Sequence, residues 1–237
     1  MTTNVHVPTK ELLFQRRFLI LLITLLLWMA LYPFLEQQAS ERLVSFFFTG
    51  TLVTATYAVS RRPRFLVAAL VFAAGAFSTQ WLSHFMDSRL VFAFARSCAF
   101  LFFMLITGAI LLNVLKGERV NADKIFGAIC AYLAMGLTWA FLFALIEVVH
   151  PGSFLEAGKL IAPERGTLHQ FALMNSMVYY SLATLTTTTY GDILPKTTPA
   201  RALSNLEAVA GQMYVAVVIS RLVALQITHS VHSHSKE

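Results

Sequence analysis

The sequence predicts an all-α integral membrane protein, with six transmembrane helices and a re-entrant helix between the fifth and sixth. Three observations lead there. Hydrophobic residues make up 57% of the 237 residues and charged residues only 13%, against about 25% charged in an average soluble domain. The mean hydropathy is +0.66, more apolar surface than a single soluble core hides. The apolar residues also fall into separate runs, several of them near the roughly 20 residues that a bilayer crossing requires. Together these exclude a water-soluble enzyme. Cys98 and Cys130 both sit inside apolar runs, which excludes a disulfide-stapled secreted scaffold. The formal charge of +6 does not indicate nucleic acid, because the basic residues form short clusters between apolar runs, not one basic face.

Residues 18–35, 43–60, 65–86, 90–115 and 125–146 are the first five expected spans. Of these only the fourth carries a charge, Arg96. The sixth covers residues 200–228 and contains Glu207 and Arg221. Lys and Arg concentrate in cytoplasmic loops. Here Lys10, Arg16 and Arg17 precede the first span, Arg61, Arg62 and Arg64 follow the second, and Lys116, Arg119 and Lys124 follow the fourth. If every span crosses, all of these fall on one side, and both termini are cytoplasmic. The N-terminal run is long and has no small-residue cleavage site close behind it, unlike a signal peptide. No internal repeat suggests an inverted-repeat transporter.

Residues 166–191 are uncharged but too polar for a lipid-facing helix. After His150-Pro151-Gly152 and Pro163, residues 168–183 read as an amphipathic helix about 24 Å long, too short to cross and return. A polar extended segment, residues 184–192, follows, and Pro195 and Pro199 are expected to stop any helix before the sixth span. Both flanking spans end on the outer side, so this segment dips in and returns to the same face. Non-helical backbone at membrane depth survives only where protein buries it or a wet path lines it.

The order of short helix, Thr-rich segment, Tyr-Gly-Asp, proline and final helix resembles the pore module of tetrameric potassium channels. The family pattern T-T-V-G-Y-G-D reads here as Thr186-Thr187-Thr188-Thr189-Tyr190-Gly191-Asp192. The resemblance covers residues 126–228, and the whole chain resembles bacterial six-span channels with one pore loop. It implies a passive, potassium-conducting cation channel and no enzyme. Thr187, Thr188, Thr189, Tyr190 and Gly191 would form the ion-binding selectivity filter, whose backbone carbonyls, with the first Thr hydroxyl, replace the hydration shell of the ion. Asp192 would sit at the outer mouth and Gly211 at the inner-helix hinge, with Gln212, Val215 and Ile219 lining the cavity. No cofactor is implied beyond potassium as the permeant ion. The partners implied are three further copies of the chain, in a homotetramer, and the lipid bilayer of a bacterial inner membrane.

The resulting organisation is a cytoplasmic N-terminus (1–17), a four-helix sensor-like bundle (18–115), a cytoplasmic linker (116–125), the pore domain (126–228) and a cytoplasmic tail (229–237). The fourth span carries only Arg96 well inside it, with Arg89 at its edge. Steep voltage dependence needs several such charges, so the bundle is expected to lack a working sensor. Gln80 and Asp87 are candidate partners for Arg96. Gly211, Val215 and Ile219 recur at i, i+4 spacing and are expected to share one face. Glu147 and Glu207 either brace the pore helix or are solvated. His229, His232 and His234 read as part of a disordered polar tail, with no room for a ligand-sensing domain after Arg221.

Thr189 departs from the family pattern, which has glycine there. Glycine takes positive φ without penalty, whereas a β-branched residue pays about 1–2 kcal/mol. Thr188 likewise replaces an apolar residue. The expected consequence is weakened potassium selectivity or low conductance. Two alternatives stay open: a weakly selective or non-conducting channel homologue, and, in another class, a secondary transporter or membrane sensory scaffold.

Overall fold

The computed structural model describes residues 17–31, 41–59, 63–82, 88–115, 122–161, 167–188, 190–221 and 223–224. Four helices form the N-terminal bundle: α1 (Arg17–Leu31), α2 (Glu41–Val59), α3 (Pro63–Leu82) and α4 (Arg89–Leu115). They are followed by α5 (Ala122–Val149), strands β1 (Phe154–Glu156) and β2 (Lys159–Leu160), helix α6 (Thr167–Leu185), strand β3 (Ile193–Pro195) and helix α7 (Thr198–Tyr214). The last helix continues as a π-helical turn over Val215–Ile219. Helices α4 and α5 are each long and apolar enough to cross a membrane, and shorter apolar stretches lie at Arg17–Ala30 and Phe65–Ser78.

The core lies along α4 and α5, whose facing sides are Phe- and Ala-rich. Phe102, Phe103, Ile106 and Ile110 of α4 are fully buried, as are Leu137, Phe141 and Phe143 of α5. The Phe103 and Phe141 rings stack at 5.3 Å, and Phe48 of α2 closes on both of them. Helix α1 packs on α5 through Phe18, whose ring lies where a side chain at Gly127 would stand. The bundle thus packs on the α5 of its own chain.

The all-α expectation needs correcting in one place. Three short antiparallel strands, in the order β2-β1-β3, form a small sheet at one end of the molecule. Phe154 pairs with Pro195, Leu155 with Leu194 and Glu156 with Ile193. Strand β1 follows α5 and β3 follows the Thr-rich segment, so the sheet joins the two ends of the excursion between them. Phe154 also meets Phe143 of α5 and Tyr180 of α6, the three ring centroids lying 5.2–5.5 Å apart. Pro199 does not stop a helix. It stands in the first turn of α7, where its missing N–H costs no hydrogen bond.

Glu147 and Arg89 secure the sheet end of α5. The Glu147 carboxylate is fully buried and accepts hydrogen bonds from the backbone N–H groups of Gly152 (2.6 Å) and Phe154 (3.0 Å). Arg89 donates to the Val148 and Val149 carbonyls at 2.6 and 2.5 Å, which satisfies the open end of α5 and places a cation at its negative pole.

Candidate ion pathway

Helix α6 runs 19 residues, about 28 Å, and meets the sheet where Ser176 donates to the Glu156 carboxylate and Tyr180 packs on Phe154. At its far end the Leu185 carbonyl accepts a hydrogen bond from the Tyr132 hydroxyl of α5 at 3.1 Å. Tyr132 lies 17 residues before Val149, about 25 Å along α5 from the sheet end. Residues 186–192 bring the chain from the end of α6 back to β3, which pairs with β1 at the end of α5, so the excursion leaves and regains the same end of α5.

Helix α6 ends in an unusual way. The N–H of Thr188 reaches back to the Ala183 carbonyl (2.8 Å) and that of Thr187 to the Thr184 carbonyl (3.0 Å). This pair of bonds closes a helix when the residue after the cap turns left-handed, a place usually taken by glycine. Here it is Thr187, with φ 57°. Its hydroxyl donates to the Thr186 carbonyl at 2.7 Å, and the Thr186 and Thr188 hydroxyls lie 2.9 Å apart. Thr189, where the sequence led us to expect positive φ, lies outside the described residues. Further along, Gly191 is left-handed at φ 83°.

Thr187, Thr188, Tyr190, Gly191 and Asp192 are all exposed in the single chain. Tyr190 is 72% exposed and stacks on Tyr179 of α6 at 6.1 Å, with the two rings nearly parallel. The Tyr179 hydroxyl also faces the Asp192 side chain. The Asp192 carbonyl accepts from the Ala157 N–H at 2.9 Å, which ties the end of the Thr-rich segment to the β1–β2 turn.

Gly211 lies where α7 crosses the end of α6. A Cβ there would stand 2.3 Å from the Leu185 carbonyl oxygen, so only glycine permits this approach. Next to it, the exposed Gln212 side chain donates from Nε2 to Thr187 Oγ1 at 3.4 Å. Gly211 and Val215 keep the expected i, i+4 relation, the Val215 N–H bonding to the Gly211 carbonyl, with Gly211 buried against α6 and Val215 exposed. The π-helical turn that opens at Val215 changes the spacing only from there to Ile219. The Ile219 side chain lies outside what the structure describes. Leu206, Val209 and Met213 make an exposed apolar stripe on α7.

Several contributors to this region were missed from the sequence. Tyr132, Tyr179 and Tyr180 hold the re-entrant segment, and only their polar tips within apolar helices hinted at it. Glu147 and Glu207 were recognised with two readings open. Both are fully buried, so neither is solvated; Glu207 reaches the re-entrant helix at Ser181, whereas Glu147 holds the Gly152 and Phe154 backbone instead. Of the two candidate partners for Arg96, Asp87 and the side chain of Gln80 lie outside what the structure describes. The Arg96 guanidinium lies 6.0 Å from the Phe141 ring centroid.

Residues 125–226 match the family model described as an ion channel. The match supports an ion channel. It begins in α5 and spans the sheet, the re-entrant helix, the Thr-rich segment and α7, so the channel region coincides with the elements that build this pathway. Searches of curated proteins and of solved structures return no match to the chain.

Proposed function

We propose that the protein is a passive, potassium-type cation channel assembled from four copies of the chain, each with six membrane spans. The observation that carries this reading is the re-entrant α6, ended at Thr187 and followed by a return segment anchored to β1, within the region that matches the ion-channel model. In this reading the backbone carbonyls of Thr187, Thr188, Thr189, Tyr190 and Gly191, with the Thr187 hydroxyl, take the place of water around the ion. One chain offers too few oxygens to dehydrate a cation, and fourfold symmetry supplies the rest. The C-terminal end of α6 places partial negative charge below the filter. Asp192 draws cations to the outer mouth, and Gln212 and Val215 face the cavity, with Ile219 one π-turn further on and Gly211 as the hinge. The apolar stripe of Leu206, Val209 and Met213 is then covered by neighbouring copies.

Weak discrimination between potassium and sodium is the second reading within this class, favoured by Thr189 where glycine would let a carbonyl turn freely. The test is a bi-ionic reversal potential in planar bilayers, wild type against Thr189→Gly. Gradient-driven cation current from a tetramer supports the channel, and sharper potassium preference in Thr189→Gly supports the blunted filter. A purified protein that stays monomeric or dimeric in native mass measurement overturns the tetrameric pore.

A further inference from the structure

Between the re-entrant helix and α7 lies a carboxyl group that ion conduction does not itself use. Glu207 is fully buried, as is Ser181 beside it. Ser181 Oγ lies 2.5 Å from Glu207 Oε1 and 2.7 Å from the carbonyl oxygen of Gly136 on α5. An ionised carboxylate and a carbonyl are both acceptors only, and a serine hydroxyl has a single proton. Ser181 can therefore donate to one of them, leaving the other oxygen facing a lone pair at hydrogen-bond distance.

A neighbouring pair shows what a complete arrangement looks like. The Tyr180 and Ser204 hydroxyls lie 2.6 Å apart, and Ser204 Oγ lies 2.8 Å from the Ala200 carbonyl. There the phenol brings a proton, Tyr180 donates to Ser204, and Ser204 donates to the backbone. The Glu207–Ser181–Gly136 chain has the same form, donor to serine to carbonyl, and is satisfied in the same way once Glu207 carries a proton. Its second oxygen, Oε2, is buried with no hydrogen-bond partner among the described residues. An uncharged C=O bears that isolation at far lower cost than half of a carboxylate. The titratable groups that face Glu207 are Tyr132 from α5 and Tyr180 from α6, and Ser181 is its one described hydrogen-bond partner.

We propose that Glu207 is held as a carboxylic acid which, through Ser181, fastens α7 to the re-entrant helix and to α5, and so positions the base of the filter. Gly211, one helical turn further on, meets the Leu185 carbonyl along the same seam, so a charge at Glu207 would open the contact that sets where the filter begins. Glu207 acts as a positioning residue, and its link to conduction rests on the channel reading above.

Infrared spectroscopy of the reconstituted protein reads the proton directly, whether or not ions flow. At neutral pH the wild type should show a carboxylic-acid carbonyl band that disappears in Glu207→Gln and shifts in Ser181→Ala. Ion flux is then followed against pH in the same vesicles. Wild-type flux should fall above the titration point of Glu207, by about tenfold per pH unit if one proton per pore decides conduction and more steeply if all four copies must stay protonated. Glu207→Gln, whose amide donates to Ser181 as the acid does, should conduct at neutral pH and lose that alkaline fall. The absence of a Glu207-dependent acid band overturns the proposal, as does a tetrameric Glu207→Gln that keeps the wild-type alkaline fall. Zero flux in every protein with the band present would instead overturn the channel reading and leave the protonation standing.

Discussion

At Thr187 the backbone turns left-handed on a β-branched residue, which resists that turn by about 1–2 kcal/mol. The cost is met by the two closing hydrogen bonds at the end of α6 and by the Gln212 contact. Comparing two substitutions isolates the backbone term. Thr187→Gly and Thr187→Ala both remove the hydroxyl and differ only in Cβ, so the glycine variant should be the more stable by about 1 kcal/mol. Thermal unfolding in detergent measures the difference, and the reverse order would mean that φ at Thr187 is negative. The sequence pointed to strain in this run but located it at Thr189, because family spacing marks the missing glycine. What it could not reveal is the helix ending at Thr187, since residues 183–188 offer no glycine, asparagine or proline to announce a cap. Thr187, Gly191 and Gly211 were legible as residues of one candidate site. Their contacts were not, because those depend on how closely α7 approaches Leu185.

At the scale of elements, α5 follows from apolar run length and α6 from an amphipathic stretch, and each lies within about three residues of the expected bounds. The strands do not follow. Segments of three, two and three residues are too short to show alternation, and pairing between β1 and β3 joins positions about 40 residues apart. Glu147 is a buried anchor of that sheet, beside the Phe143–Phe154–Tyr180 ring cluster. Replacing it with Ala leaves the Gly152 and Phe154 N–H groups without their acceptor, at about 1–3 kcal/mol for each group left unsatisfied. Glu147→Ala should therefore lower the thermal midpoint and speed amide exchange across residues 152–156, with Ile193 and Leu194 following because the strands are paired. Unchanged exchange at Ile193 and Leu194 would show that the sheet does not depend on this anchor.

For the molecule as a whole, the arginines of α4 are placed as fasteners. Arg89 closes the end of α5, and Arg96 lies over an aromatic ring of the core. Each charge that crosses the full field is worth about 2.3 kcal/mol per 100 mV, so one or two held charges give a shallow response. Currents should rise nearly linearly with voltage over the physiological range, and Arg96→Gln should leave the slope unchanged. A steep sigmoidal curve abolished by Arg96→Gln would show that the bundle is a sensor after all. At the opposite end, Arg221 at the foot of α7 donates to the Leu115 carbonyl at 2.6 Å. The bundle and the last helix are therefore joined by a bond that any displacement of that helix must break.

The π-helical turn at Val215–Ile219 gives that joint a mechanical meaning. A π turn stores one residue more than an α turn over nearly the same length. If it relaxed to α geometry, every residue after it would swing by about 100° around the helix axis and move about 1.5 Å along it. Arg221 would leave Leu115, while Gly211 stayed packed on Leu185 at the end of α6. The last helix thus has one grip on either side of the inserted residue: Gly211 on α6 before it and Arg221 on the bundle after it.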